Sequence, residues 1–299
     1  MDLIDYIKSN ILLFDGAMGT MLQKNGLNIG ENTEVFGFEN SDKLMKIHKL
    51  YLKAGANVIT TNTFGANEIR LNKTKYSVEE IVDNAVKIAI KAVEECDKIK
   101  PRFVALSLGP IGEMLEPIGT LSFEKAYEIF KRQAIQGEKS GADLAIIETM
   151  IDLSEAKAAV LAVKENTNLP IFCTMTFGEN GRSFTGCTPE NMVETLERLG
   201  VDAIGVNCSL GPNQLFPIVK KMVKIAKVPI ILQSNAGLPQ IMDNKAIYNI
   251  DSDEFYKYVE KFIELGVSII GGCCGTTPKY IKKISDNINK LEQIRTRKL

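Results

Sequence analysis

Four times along this chain a helix-like segment ends in glycine, passes one or two residues, and enters a β-branched or apolar run. Lys53-Ala54-Gly55-Ala56-Asn57 precedes Val58-Ile59-Thr60-Thr61, and Lys139-Ser140-Gly141-Ala142-Asp143 precedes Leu144-Ala145-Ile146-Ile147. Arg198-Leu199-Gly200-Val201-Asp202 precedes Ala203-Ile204-Gly205-Val206, and Glu264-Leu265-Gly266-Val267 precedes Ser268-Ile269-Ile270. Glycine just past a helix accepts the left-handed conformation that stops it. An apolar run beyond it reads as a strand buried on both faces, as parallel strands are. Repetition of the unit predicts alternating helices and strands joined by short loops.

Filling the gaps predicts eight strands: Ile11 to Phe14, Val58 to Thr61, Phe103 to Ser107, Leu144 to Ile147, Ile171 to Thr176, Ala203 to Val206, Pro229 to Gln233 and Val267 to Ile270. Helical spacing fills Val78 to Cys96, Phe123 to Lys139, Ser154 to Lys164, Pro189 to Leu199, Leu215 to Ala226, Asp253 to Leu265 and Pro278 to Ile294. Ser122, Ser154 and Thr188 supply capping signals, and Pro189 and Pro278 sit in first turns. The expected fold is an α/β (β/α)8 TIM barrel, a single domain over residues 1–299; such barrels need about 250 residues. The segments Asp15 to Ser41 and Ile111 to Leu121 are long for strand-to-helix connections and read as lid or binding loops.

Charge and hydropathy exclude several classes. The net charge is -1, with no basic stripe interleaved with aromatics, so nucleic acid is not an expected partner. No run approaches the roughly 18 apolar residues of a membrane span, and the acidic start Met1-Asp2-Leu3-Ile4-Asp5 does not read as a signal peptide. A cytoplasmic location with reduced thiols is therefore expected. The cluster Arg295 to Lys298 reads as a solvated tail.

Polar residues gather where the predicted strands end. They are Asp15 to Thr20, Asn62 to Asn67, Gly109 to Glu113, Glu148-Thr149 with Asp152, Phe177 to Glu179, Asn207-Cys208, Ser234 to Gly237 and Cys273-Cys274. In a barrel these ends converge on one face, where active sites lie. Acids such as Asp15 and Glu148 are costly there unless they meet a cation or donors, which an amine on a ligand would supply.

Of the six cysteines, Cys96, Cys173 and Cys187 read as small packing residues. Cys208 in Val206-Asn207-Cys208-Ser209-Leu210-Gly211-Pro212 and the pair in Gly271-Gly272-Cys273-Cys274-Gly275-Thr276-Thr277-Pro278 sit in turns better suited to gripping a soft metal. Three thiolates with one open position are a zinc set of catalytic type. Such a set suits holding a substrate thiol as thiolate better than activating water, since a free thiol is mostly protonated at neutral pH and a coordinated one is deprotonated. Rival readings are a phosphate site at Gly271-Gly272, a structural zinc that lacks a fourth ligand, and a strained disulfide between neighbours. The only histidine, His48, is expected on a helix away from this face.

At these residues the chain resembles the homocysteine S-methyltransferase family, and within it the N-terminal homocysteine-binding module of cobalamin-dependent methionine synthase. The likeness runs through FDGAMGTMLQ (14 to 23), IHKLYLKAGANVITTNTFGAN (47 to 67), GPIGE (109 to 113), ETMID (148 to 152), TFGENGRSFTG (176 to 186), GVNCSLGP (205 to 212), SNAGLP (234 to 239) and GGCCGTTP (271 to 278). The resemblance implies Zn2+ on Cys208, Cys273 and Cys274, with L-homocysteine as the incoming ligand and methionine as the product. It places the substrate's ammonium on Asp15 and Glu148. It places the carboxylate on the backbone of Gly16, Ala17, Gly19 and Thr20 and near Asn62, Thr63 and Phe64. Asn235 is expected to fill the open zinc position before substrate arrives.

The implied methyl donor is methylcobalamin on another domain or chain, beside cobalamin-binding and folate-binding partners. The alternatives are a stand-alone enzyme using S-methylmethionine or betaine, and a non-enzymatic thiol- or zinc-binding module. On this reading a chain stopping at Leu299 is a truncated piece or a separate subunit.

Overall fold

The structure is a computed structural model that describes residues 2–97, 99–242 and 245–297. Eight parallel strands form one sheet: β1 Leu12–Leu13, β2 Val58–Thr60, β3 Phe103–Leu108, β4 Leu144–Met150, β5 Ile171–Met175, β6 Ala203–Asn207, β7 Ile230–Ser234 and β8 Ile269–Gly272. Their spatial order runs from β1 through β8, β7, β6, β5, β4 and β3 to β2. The ring closes where Phe14 bridges Val58 in parallel, with the Asp15 N–H on the Val58 carbonyl at 3.0 Å. This is the expected (β/α)8 barrel.

Alternation along each strand divides the core in two. Leu12, Phe14, Val58, Phe103, Ala105, Leu144, Ile146, Phe172, Ala203, Ile231 and Ile269 pack inside the barrel. Their neighbours Leu13, Ile59, Val104, Leu106, Ala145, Ile147, Ile204, Leu232 and Ile270 face the surrounding helices. Cys173 belongs to that outer layer, fully buried, which fits a packing role. An unanticipated first helix, Leu3–Ser9, capped by the Asp2 carboxylate, adds Leu3 and Ile7 to the interior cluster.

Helix bounds agree with two of the three caps written into the sequence; Ser154 is not a cap, since the helix Leu153–Asn166 is capped by the Asp152 side chain, which accepts the Glu155 N–H. Thr188 and Gly200 enclose Pro189–Leu199, and Ser122 opens Phe123–Lys139. Three further expectations need correction. The stretch expected as a loop from Asp15 to Ser41 contains two helices, Met18–Lys24 and Thr33–Glu39, the second capped by the Asn32 side chain. The helix expected from Leu215 begins at Pro212, since proline fits a first turn that needs no N–H. The helix expected from Pro278 to Ile294 divides into Pro278–Asp286 and Ile288–Thr296, with the Asn287 amide on the Lys283 carbonyl at 2.9 Å. That side chain competes with the next helical turn for the carbonyl.

A short antiparallel hairpin, Gln240–Met242 with Lys245–Ile247, follows β7 and had no periodicity to announce it. Among the described residues no helix is long and apolar enough to cross a membrane. Lys298 of the basic tail lies outside the described residues.

Candidate active site

The loops after the strands meet over a cavity of about 280 Å³ at the C-terminal face of the barrel. Asp15, Gly16, Ala17, Gly19 and Thr20 line it from β1, Asn62 and Phe64 from β2, and Glu148 from β4. Cys208 enters after β6, and Cys273 and Cys274 after β8. Thr63 is not in the wall; its hydroxyl is spent on the Ser107 carbonyl at 2.8 Å. Asn235 also stands outside the wall, 3 % exposed, with its Oδ1 lacking any partner.

The three sulfurs lie within 4.8 Å of one another, and Cys208 Sγ is 3.8 Å from Cys274 Sγ. Zinc–sulfur bonds of about 2.3 Å in tetrahedral array place sulfurs about 3.8 Å apart, the spacing of Cys208 and Cys274, and Cys273 is close enough to complete a three-sulfur set. Hydrogen bonds from Cys208 and Cys273 toward Cys274 hold the Cys274 thiol below the ordinary range, while Cys273 is held well above it. Three thiols this close together are a donor set that could hold a soft divalent cation.

Backbone bonding sets these positions. The Cys208 N–H reaches the Gln233 carbonyl at 3.0 Å and the Cys273 N–H the Ser234 carbonyl at 2.8 Å, so β7 spaces the two sulfur-bearing turns. Cys208 and Ser209 have φ of 57° and 48°. A non-glycine residue in this left-handed region stores strain that surrounding contacts must offset.

The turn after β8 is pinned to the loop after β1. Gly272 N–H donates to the Asp15 carbonyl at 3.0 Å, Ala17 N–H to Thr276 Oγ1 at 3.2 Å, and Gly275 N–H to Thr20 Oγ1 at 3.1 Å. A Cβ on Gly272 would lie 2.4 Å from Thr276 Oγ1, which explains glycine there. Tyr51 donates to the Ala17 carbonyl at 3.2 Å from one turn beyond His48. His48 itself is buried in the helix layer, its pKa lowered to about 4 by burial, and takes no part in the cavity.

Three acids line the cavity: Asp15, Glu148 and Glu34, the last engaged by the Gly65 N–H at 2.7 Å. Asp15 is 2 % exposed and receives the Thr60 N–H at 2.8 Å and the Thr60 hydroxyl at 2.9 Å. Burial lifts its pKa to about 8 against those two bonds. Glu148 accepts the Ser107 hydroxyl at 2.6 Å and is raised by burial to about 7. Among the described residues no Lys or Arg lies in the cavity wall. Buried carboxyls with no Lys or Arg among the described residues of the wall make a site that favours a cationic ligand group.

Thr60, Ser107 and Thr276, which orient these groups, were not singled out from the sequence. The first two are polar residues inside otherwise apolar strands. That is the one signal that could have found them.

Fold and site together define a (β/α)8 barrel with a three-thiol cluster and a pair of buried acids at its C-terminal face. The chain belongs to the homocysteine S-methyltransferase family, whose model matches residues 12–288. It is 30% identical over 307 aligned residues to the methionine synthase of Mycobacterium tuberculosis, covering 98% of this chain and 26% of that protein. It is 31% identical to the Mycobacterium leprae methionine synthase, covering 95% of this chain and 25% of that one. The chain thus spans about a quarter of the length of the curated relatives it matches.

Among solved structures, the metallated form of the Escherichia coli homocysteine methyltransferase MmuM superposes with a TM-score of 0.80. The match has 23% identity and covers 94% of this chain and 97% of that one. The oxidized form gives 0.82 at 23% identity, covering 95% and 98%. At this identity the likeness establishes the fold.

Proposed function

We propose that this barrel binds L-homocysteine and a zinc ion and methylates the homocysteine sulfur to give methionine. The observation that carries the reading is one cavity with three sulfurs within 4.8 Å of one another on one side and the buried acids Asp15 and Glu148 on the other. Homocysteine has a thiol for the first and an ammonium for the second. Zinc on Cys208, Cys273 and Cys274 supplies deprotonation of the thiol and holds the sulfur as a nucleophile.

The chain's own residues then bind and orient. Asp15 and Glu148 take the ammonium, which favours their charged forms. The helix Met18–Lys24 has no side-chain cap, so its first amides are free to meet the substrate carboxylate beside Gly16, Ala17, Gly19 and Thr20. Asn62 and Phe64 close the cavity from β2. Thr63 acts from behind, holding the end of β3 through the Ser107 carbonyl. Asn235, with a buried oxygen lacking a partner, is the residue we assign to the open metal position before substrate binds. The phosphate reading of Gly271-Gly272 loses ground because Phe14, Gln233 and Thr276 fill the space beside those glycines.

The donor we propose is methylcobalamin on another domain or chain, supported by relatives about four times as long that are named methionine synthase. Zinc-loaded protein should be given homocysteine with methylcobalamin, S-methylmethionine and betaine in turn, with methionine measured. Turnover with methylcobalamin alone is the expected result. Turnover with either onium donor alone supports the stand-alone reading. No turnover with any of them, from folded zinc-loaded protein that binds homocysteine, sinks the enzymatic reading in favour of a thiol-binding module.

A further inference from the structure

We infer that Asn207 is a positioning residue that fixes Glu148 for the substrate's ammonium, an inference that rests on the function proposed above. Asn207 ends β6, is fully buried, and is absent from the cavity wall, so it does not touch the ligand. Its carboxamide is fully engaged. Oδ1 accepts the Thr149 N–H and the Thr174 hydroxyl, both at 2.8 Å. Nδ2 donates to Thr149 Oγ1 at 2.7 Å and to Glu148 Oε2 at 3.4 Å. Reversing the amide would set its NH2 against the Thr149 N–H, so this orientation alone satisfies every partner.

Two consequences follow for Glu148. Its carboxylate is held at both oxygens, Oε1 by Ser107 from β3 and Oε2 by Asn207 from β6. The next residue, Thr149, has φ 64°, a left-handed conformation that is costly for a β-branched side chain. Asn207 bonds both the backbone N–H and the hydroxyl of Thr149, which holds that bend in place. Cys208 follows Asn207 directly, so one strand end orients the acid and carries a sulfur. Residues that converge this way act as a unit, and removing one should reduce the effect of removing the other.

The test uses the zinc-loaded protein and two ligands, L-homocysteine and 4-mercaptobutanoate, which is homocysteine without its amino group. Asn207→Ala is expected to weaken homocysteine binding about tenfold by calorimetry and to leave 4-mercaptobutanoate within about twofold. In a Glu148→Gln background the same change should cost less than about twofold. Equal weakening of both ligands, or an undiminished loss without Glu148, would assign Asn207 to support of the Cys208 turn and overturn the inference. If Asn207→Ala does not fold, Thr149→Ala removes an Nδ2 partner without touching β6; the same selective loss is expected, and equal loss for both ligands overturns the inference. Wild-type protein that binds both ligands alike would overturn the ammonium reading itself, and the inference with it.

Discussion

The sulfurs of Cys208 and Cys274 stand 3.8 Å apart although 66 residues separate them in the chain. The barrel brings them together because β7 is the one strand between β6 and β8. Each sulfur leaves its strand in a turn whose backbone is bonded to β7, so their spacing belongs to the sheet.

Replacing any one of Cys208, Cys273 or Cys274 by Ala is therefore expected to abolish stoichiometric zinc binding and leave the barrel folded. Their side chains lie at the cavity, outside the two core clusters. Metal analysis by atomic emission with circular dichroism checks both halves. A folded variant retaining one zinc per chain contradicts the three-sulfur assignment.

Glu148→Gln separates the ammonium site from the metal site. Hydrogen bonds to charged groups contribute about 1.5–3 kcal/mol, so homocysteine affinity should fall about tenfold to a hundredfold. Zinc affinity, read by competition with a chelator, should change far less. Equal losses in the two measurements would place Glu148 at the metal.

The two acids also set a pH dependence in the protein without metal or ligand. Burial holds the folded Asp15 up at about 8 and Glu148 at about 7, whereas unfolded carboxyls release their protons near pH 4. Between those values the folded state carries more protons than the unfolded, so these groups make stability fall as pH rises. Compared with Asp15→Asn, the wild type should lose more Tm between pH 5 and 8. Parallel Tm curves for the two proteins would refute the assignment.

Gly205 offers a test of the barrel itself. A Cβ there would stand 1.8 Å from the Ile231 carbonyl oxygen, a backbone atom that cannot swing aside. Gly205→Ala should cost about 3 kcal/mol or more in urea unfolding, the upper range of overpacking. Gly19→Ala meets nothing within 4 Å and lies in a helix, so it should leave stability unchanged or slightly raised. Similar stabilities for the two variants would show that the strand spacing at Gly205 is not as tight as described.

Local rules made much of the fold legible. Glycines such as Gly55, Gly200 and Gly266 stop helices in left-handed backbone, as their sequence settings predict. Caps at Ser122 and Thr188 placed helix starts correctly. Strand positions followed from apolar runs because parallel strands are buried on both faces. The three cysteines were legible as a candidate cluster because two adjacent thiols among glycines pack poorly, and the structure brings them within 4.8 Å of one another. The hairpin after β7, the division at Asn287 and the two helices between β1 and β2 were not legible. Each is short or interrupted, and its geometry is settled by contacts from elsewhere in the chain.

The sequence by itself determined the eight barrel strands and the main helices between them, and it singled out the three cysteines and the two acids. All of these are properties of residue type and local pattern. Only the tertiary structure decided which supporting residues matter. Thr60 reaches Asp15 across the β1–β2 seam, Ser107 and Asn207 grip Glu148 from two other strands, and Thr276 ties the cysteine turn to Ala17. It also decided that Thr63 faces away from the cavity. Hydrogen bonds between side chains far apart in sequence depend on register and strand end geometry. No local pattern encodes these, because they exist only once the barrel has closed.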